Sequence, residues 1–144
     1  MADTTHKAYS QSATTALSTE LNSLANNANT AASSEIDNGT ALDLYADIEL
    51  TLAAQGSARS AGATISVYMT HALDGTNYDD VHETTAELCA VFPLDAATTA
   101  RRRTVRDVPI SPGKFKFFAR NSTGQALAAS GSTVKYRFHS VKTV

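Results

Sequence analysis

From residue 42 onward, apolar and polar side chains take turns along the chain. In LDLYADIELTLAA, Leu42, Leu44, Ala46, Ile48, Leu50, Leu52 and Ala54 fall at even positions, while Asp43, Tyr45, Asp47, Glu49 and Thr51 fall at odd ones. Successive side chains of a strand point to opposite faces, so this pattern predicts a long strand with one buried and one wet face. ATISVYMTHAL alternates again, with Ala63, Ile65, Val67 and Met69 against Thr64, Ser66, Tyr68 and Thr70. AELCAVFPL, residues 86–94, predicts a shorter strand ended by Pro93, and RRRTVRDVPI, 101–110, a polar extended one. KFKFFAR places Phe115, Phe117 and Ala119 on one face, and STVKYRFHSV sets Val134, Tyr136 and Phe138 against Lys135, Arg137 and His139. Turns rich in Gly, Pro and Ser separate these segments, among them QGSARSAG at 55–62 and Ser111-Pro112-Gly113. At least six strands without intervening helices predict an all-β chain, an antiparallel β-sandwich or jelly roll.

The first 37 residues follow a different rule. They are mostly Ala, Ser, Thr and Asn, and Leu17, Leu21 and Leu24 recur there at i, i+4 and i+7. That spacing predicts a short helix, capped by Thr14 or Thr15 and ended by Asn26-Asn27. So short a helix is marginal alone and needs a surface to dock on. The expected organisation is an N-terminal extended or short-helical arm, 1–37, followed by a sandwich domain, 38–144, with Leu17, Leu21 and Leu24 binding a partner.

Length and charge narrow the function. A chain of 144 residues with net charge −2 suits one domain able to bury a core, and gives no reason to expect nucleic acid or an anionic membrane as the main partner. Cys89 is the single cysteine, so neither an intrachain disulfide nor an all-cysteine metal site can form. No run approaches the roughly 20 apolar residues of a membrane span, and the polar start MADTTHKAYS does not look like a signal peptide; a protein made in a cytosol is expected. The one basic concentration is RRRTVR, where Arg101, Arg102, Arg103 and Arg106 are read as a partner-binding edge. Their planar forks suit ion pairs with another protein, and no aromatic stacking platform for nucleic acid lies between them.

Candidate chemistry is sparse. LDGTNYDD, 73–80, crowds Asp74, Asn77, Asp79 and Asp80 around a glycine, yet its spacing does not match a calcium loop, so a reverse turn is expected. His6, His71, His82 and His139 form no pair at metal-ligand spacing, and the DDVHE cluster at 79–83 is read as a solvated loop. Cys89 sits in an apolar run and is read as a small buried hydrophobe. Without a nucleophile elbow, phosphate loop or metalloprotease helix, no enzyme activity, cofactor or metal is expected. Tyr45, Tyr68 and Tyr78, expected on wet faces or loops, leave a carbohydrate-binding role open beside a protein interface.

TTALSTELNSLANNANTAASSEIDNGTALDLYADIELTL, VYMTHALDGTNYDD, AVFPLDAA and RRRTVRDVPISPGKFKFFARNSTGQALAASGSTVKYRFHS together resemble virion structural proteins of tailed bacteriophages. The resemblance runs from about Thr14 to the end, and its distinctive pieces are LNSLANNANTAA, LDGTNY and SPGKFKF. It implies a β-sandwich of the virion, capsid decoration or cement in type, that binds major capsid protein or other virion proteins as a homo-oligomer, with a trimer expected. It carries over no catalytic residue. A carbohydrate- or receptor-binding fibre module is the alternative.

Overall fold

A computed structural model describes residues 5–143. Nine strands form among them: β1 (Thr5–Tyr9), β2 (Thr14–Leu17), β3 (Ile36–Asp37), β4 (Tyr45–Leu52), β5 (Thr64–His71), β6 (Glu87–Pro93), β7 (Arg101–Pro109), β8 (Lys114–Ser122) and β9 (Thr133–Thr143). All pairings are antiparallel, and they build two sheets. In the first, β1 and β2 lie along β9, which pairs with β4, which pairs with β7; the second runs β3-β8-β5-β6. The pairs are nested: β5 with β6, β4 with β7, β3 with β8 and β2 with β9. The chain therefore doubles back on itself like a folded ribbon, and the cross-pairs β4–β9 and β5–β8 hold the ribbon as two layers.

Period-two alternation positions the core. Ile48, Leu50 and Leu52 from β4, Ile65, Val67 and Met69 from β5, Phe92 from β6, Phe115 and Phe117 from β8, and Val134 and Phe138 from β9 are buried between the sheets. Each such side chain contributes roughly 1.5 to 3 kcal/mol by leaving water. The six strands expected after residue 42 are all present, with ends shifted by a few residues.

Two readings change. Leu42 and Leu44 do not continue the buried face of β4; they stand 55% and 56% exposed. The cause is the buried side chain of Asn38, whose Oδ1 accepts the N–H of Asp43 at 2.9 Å while its Nδ2 donates to the Asp43 carbonyl at 2.8 Å. Residues 38–43 thereby close into a loop, and the strand starts only at Tyr45.

The second change concerns the arm. Residues 14–28 are not a helix: Leu17 ends β2, Leu21 lies in a single 3-10 turn (Thr19–Leu21), and both are fully buried in the chain's own core. Leu24 packs half-buried at the core margin. The leucines thus meet apolar surface inside the sandwich, where the chain passes from the first sheet to the second, and not on a surface outside it. The small polar residues beyond Leu24 serve a hydrogen-bonding role. Thr30 and Ser33 donate their backbone N–H groups to the carbonyls of Ala119 and Phe117 at 2.8 and 2.7 Å. Their hydroxyls accept the N–H groups of the same two residues at 2.9 and 3.0 Å, so they complete the edge of β8 where a full strand is missing. Ser and Thr compete in this way with helical hydrogen bonding.

One buried charge ties the loops at the far end. Arg59 is 2% exposed and donates to the Asp95 carbonyl at 2.9 Å, the Asp95 carboxylate at 2.9 Å, the Thr99 carbonyl at 3.1 Å and Gln55 Oε1 at 3.0 Å. Gln55 Nε2 in turn donates to the Ala126 carbonyl at 3.0 Å, which joins three loops.

Leu21→Ala is expected to lower stability by roughly 2 to 5 kcal/mol in chemical denaturation, the cost of a core cavity. A change near zero would mean that this leucine is not in the chain's own core.

Candidate functional site

The basic segment is β7, an open edge strand. Opposite residues of an antiparallel ladder share a face, and Arg103 and Arg101 lie opposite the buried Leu50 and Leu52. These two arginines therefore point toward the mouth between the sheets. Arg103 Nε donates to the Pro93 carbonyl of β6 at 3.1 Å, and Arg101 pairs with Asp95. Inward-pointing charge on an edge strand discourages further strands from adding there. On the outer face Arg102 pairs with Glu49 at 2.8 Å. The Arg106 side chain makes no hydrogen bond or ion pair among the described residues. Three of the four arginines read as a partner edge thus already have partners within the fold, and Arg106 is the one whose side chain has none among the described residues.

Loops 39–44, 72–79 and 110–113 gather at one end, because β4 and β8 begin there and β5 and β7 finish there. They border a shallow cleft of about 590 Å³ lined in part by Asp37, His71, Leu73 and Asp79. LDGTNYDD is a turn as expected: Gly75 adopts φ 74°, and Asp74 Oδ1 accepts the N–H groups of Thr76 and Asn77 at 2.8 and 2.7 Å. Those bonds hold the Asp74 carboxyl down at about 2. Leu73 at its start is fully exposed, and Leu42 and Leu44, in another loop at this end, are exposed as well. Meanwhile Asp43, between those leucines, is buried and accepts hydrogen bonds from the Ser10 and Ser140 hydroxyls at 2.5 and 3.0 Å. Burial is inverted here, with a carboxylate inside and two leucines outside.

The tyrosines are engaged within the fold. Tyr78 donates to Glu35 at 2.6 Å and lies under Lys116, whose Nζ is 4.1 Å from the ring centre. Desolvation first, then Glu35, pushes the Tyr78 phenol up to about 12. Tyr68 stacks on Phe118, and Tyr45 on His139. Within DDVHE, Glu83 pairs with Arg120 at 2.5 Å and accepts from Asn29 at 2.7 Å, so that segment is a strap over the second sheet. Cys89 packs against the core margin, and burial pushes its thiol up to about 12, which suits an inert thiol.

A polar cluster that the sequence pattern does not reveal crosses the outer face of the first sheet. His139 of β9, expected as a solvated outer residue, is 1% exposed, held between the rings of Tyr9 and Tyr45. Its Nε2 lies 3.3 Å from Asp47 Oδ1 and 3.1 Å from Asp107 Oδ1. Lys7 of β1 reaches the same two oxygens at 3.1 and 2.8 Å. Burial opposes the charged form of Asp47, but the backbone N–H of Asp107, the Tyr9 hydroxyl and Lys7 outweigh it and hold the carboxyl at about 2. A β-bulge creates this meeting: Arg106 and Asp107 together face Asp47, and Asp107 takes φ 57°. An aspartate inside a strand pattern is the only sequence signal, since Asp is depleted in strands.

No protein-family model matches the chain, and no curated protein does. The surface chemistry is open to direct test through pH at the Arg101–Asp95–Arg59 group. Hydrogen bonds from Arg101, then from Arg59, hold the Asp95 carboxyl far below its usual range. A depressed folded-state value means that Asp95 contributes stability fully above the unfolded value of about 4, and loses it as pH falls below that. Asp95→Asn is expected to lower stability near neutral pH and to shrink the loss on acidification, read from denaturant midpoints across the acid range. Parallel curves for the variant and the wild type would refute this linkage.

Proposed function

We propose that this chain is a structural component of a tailed-phage virion, assembled in the host cytoplasm, and most specifically a capsid decoration or cement protein that binds and stabilises the shell of major capsid protein. The resemblance of LNSLANNANTAA, LDGTNY and SPGKFKF to phage structural proteins supports the particle, and the nested strand order supports reading the sandwich as a jelly roll. The observation that carries a binding role is the inverted burial at residues 42–44. Leu42 takes φ 52°, costly for a non-glycine residue, and both leucines are held outward by the Asn38 bracket. Apolar side chains held outward on this loop, with the exposed Leu73 at the same end of the sandwich, make a small contact surface with little ordering cost.

Leu17, Leu21 and Leu24 take no part in this contact, because they serve the core. The exposed leucines of the loop end, and Arg106, whose side chain has no partner among the described residues, replace them. Each leucine returns roughly 1 kcal/mol when the rest of its surface is covered, and a closed homo-oligomer, a trimer in this reading, multiplies the gain on a symmetric shell. A carbohydrate- or receptor-binding fibre module has less support, since Tyr45, Tyr68 and Tyr78 each have a partner within the fold.

Co-sedimentation with undecorated shells tests the proposal. The double variant Leu42→Asp/Leu44→Asp is expected to keep its melting temperature and lose about ten-fold or more in shell binding, while Arg106→Glu weakens binding in a salt-dependent way. Normal decoration of shells by the double variant would overturn the assignment of the contact surface, and failure of the wild type to bind any shell would overturn the function.

A further inference from the structure

We propose that Asp47, Asp107 and His139 form a binding site for a divalent transition-metal ion of the zinc class, with Lys7 as the competing internal cation. The site does not depend on the virion reading, because its ligands lie on the outer face of the first sheet and include none of the loop-end leucines.

Three strands supply the ligands, one each from β4, β7 and β9, and the Asp47, Asp107 and His139 donor atoms lie within 4.8 Å of one another. The two distances from the imidazole fit a coordination sphere. Zinc bonds of 2.0 to 2.1 Å in a tetrahedron place neighbouring ligand atoms roughly 3.3 Å apart. The imidazole Nε2 stands 3.1 and 3.3 Å from the two carboxylate oxygens.

The histidine also lacks what a purely structural histidine has. Its side chain is 1% exposed, and among the described residues neither ring nitrogen makes a hydrogen bond of acceptable geometry. Buried polar atoms nearly always have a partner. Here Nε2 is close to two carboxylate oxygens, the same two that Lys7 reaches, but is not aligned to donate to either. The ring cannot turn freely, since Tyr9 packs edge-on at 5.5 Å and Tyr45 stacks at 5.6 Å. Outer groups complete the orientation. The Tyr9 hydroxyl donates to Asp47 Oδ2 at 2.8 Å, and the Asp107 N–H donates to Asp47 Oδ1 at 3.0 Å. Such contacts fix ligands before an ion arrives. Asp107 stays 61% exposed, which leaves an entry path and room for water as a further ligand.

One imidazole and two carboxylates favour zinc, cobalt or manganese over calcium or magnesium, which prefer all-oxygen shells. Lys7 fills the cationic role from β1, with its ammonium 2.8 and 3.1 Å from the two oxygens an ion would take. An incoming ion must displace it, so the wild-type affinity is modest and removal of Lys7 raises it.

The test is cobalt titration of the full chain, read by visible absorption, with zinc calorimetry beside it. Wild type is expected to bind one ion per chain, Lys7→Met to bind it about ten-fold or more tighter, and His6→Ala to bind as wild type. Asp107→Asn, at an exposed position that spares the fold, is expected to lose about ten-fold or more in the Lys7→Met background, and His139→Asn to abolish the absorption band. No saturable binding by Lys7→Met, or binding indifferent to Asp107→Asn, would overturn the site and leave the group as an internal ion-pair cluster.

Discussion

Every ladder among the described residues joins segments that are distant in sequence or separated by a loop, and the core faces of the two sheets are buried only against each other. The nested pairing is the constraint on which the rest depends. Closing β5 on β6 brings β4 toward β7, which brings β3 toward β8 and the N-terminal strands toward β9. Each step shortens the loop that the next must close, so the entropy of closure is met in stages. With no disulfide to stabilise the layers, the interleaved phenylalanines and leucines must do so. The non-local contacts imply slow folding compared with a helical bundle.

The open edges of the sandwich are each handled differently. At the mouth between β6 and β7, arginines reach across and occupy carbonyl and carboxylate partners. Along β8, the hydroxyls and backbone of Thr30 and Ser33 complete the hydrogen bonding without a regular strand. Beside β9, β1 and β2 cover the edge, and Lys7 and Tyr9 of β1 also roof the polar cluster at His139. The N-terminal segment is thus both edge cover and core. That dual role explains why it contains leucines at some positions and little but small polar residues at others.

The loop end is different in kind. There the polar group is inside and the apolar groups are outside, which is the reverse of what solvent favours for an isolated molecule. Asn38 and Asp43 hold that inversion through five hydrogen bonds, counting the two from Ser10 and Ser140 and the one from Asn38 to the Ser111 carbonyl. A binding surface built this way is preorganised, since its loop geometry is determined by buried groups beneath it.

The sequence by itself determined the strands whose two faces meet different solvents. Along β4, β5, β8 and β9 the alternation of apolar and polar residues is legible because side-chain direction along a strand has a period of two whatever the strand pairs with. The turn at Gly75 was legible for the same local reason. Tertiary structure alone decided the fate of Leu17, Leu21 and Leu24, since their helical spacing also fits a chain that crosses between sheets and meets the core at irregular intervals. It alone exposed Leu42 and Leu44, because the Asn38 side chain overrides the alternation there. And it alone assembled Asp47, Asp107 and His139, which are separated by 60 and 32 positions and converge only when β4 pairs with both β7 and β9 and a bulge turns Asp107 toward them. Local periodicity reports which face a residue takes; which residues share that face is set by strand order, and strand order is written in contacts that no short window of sequence contains.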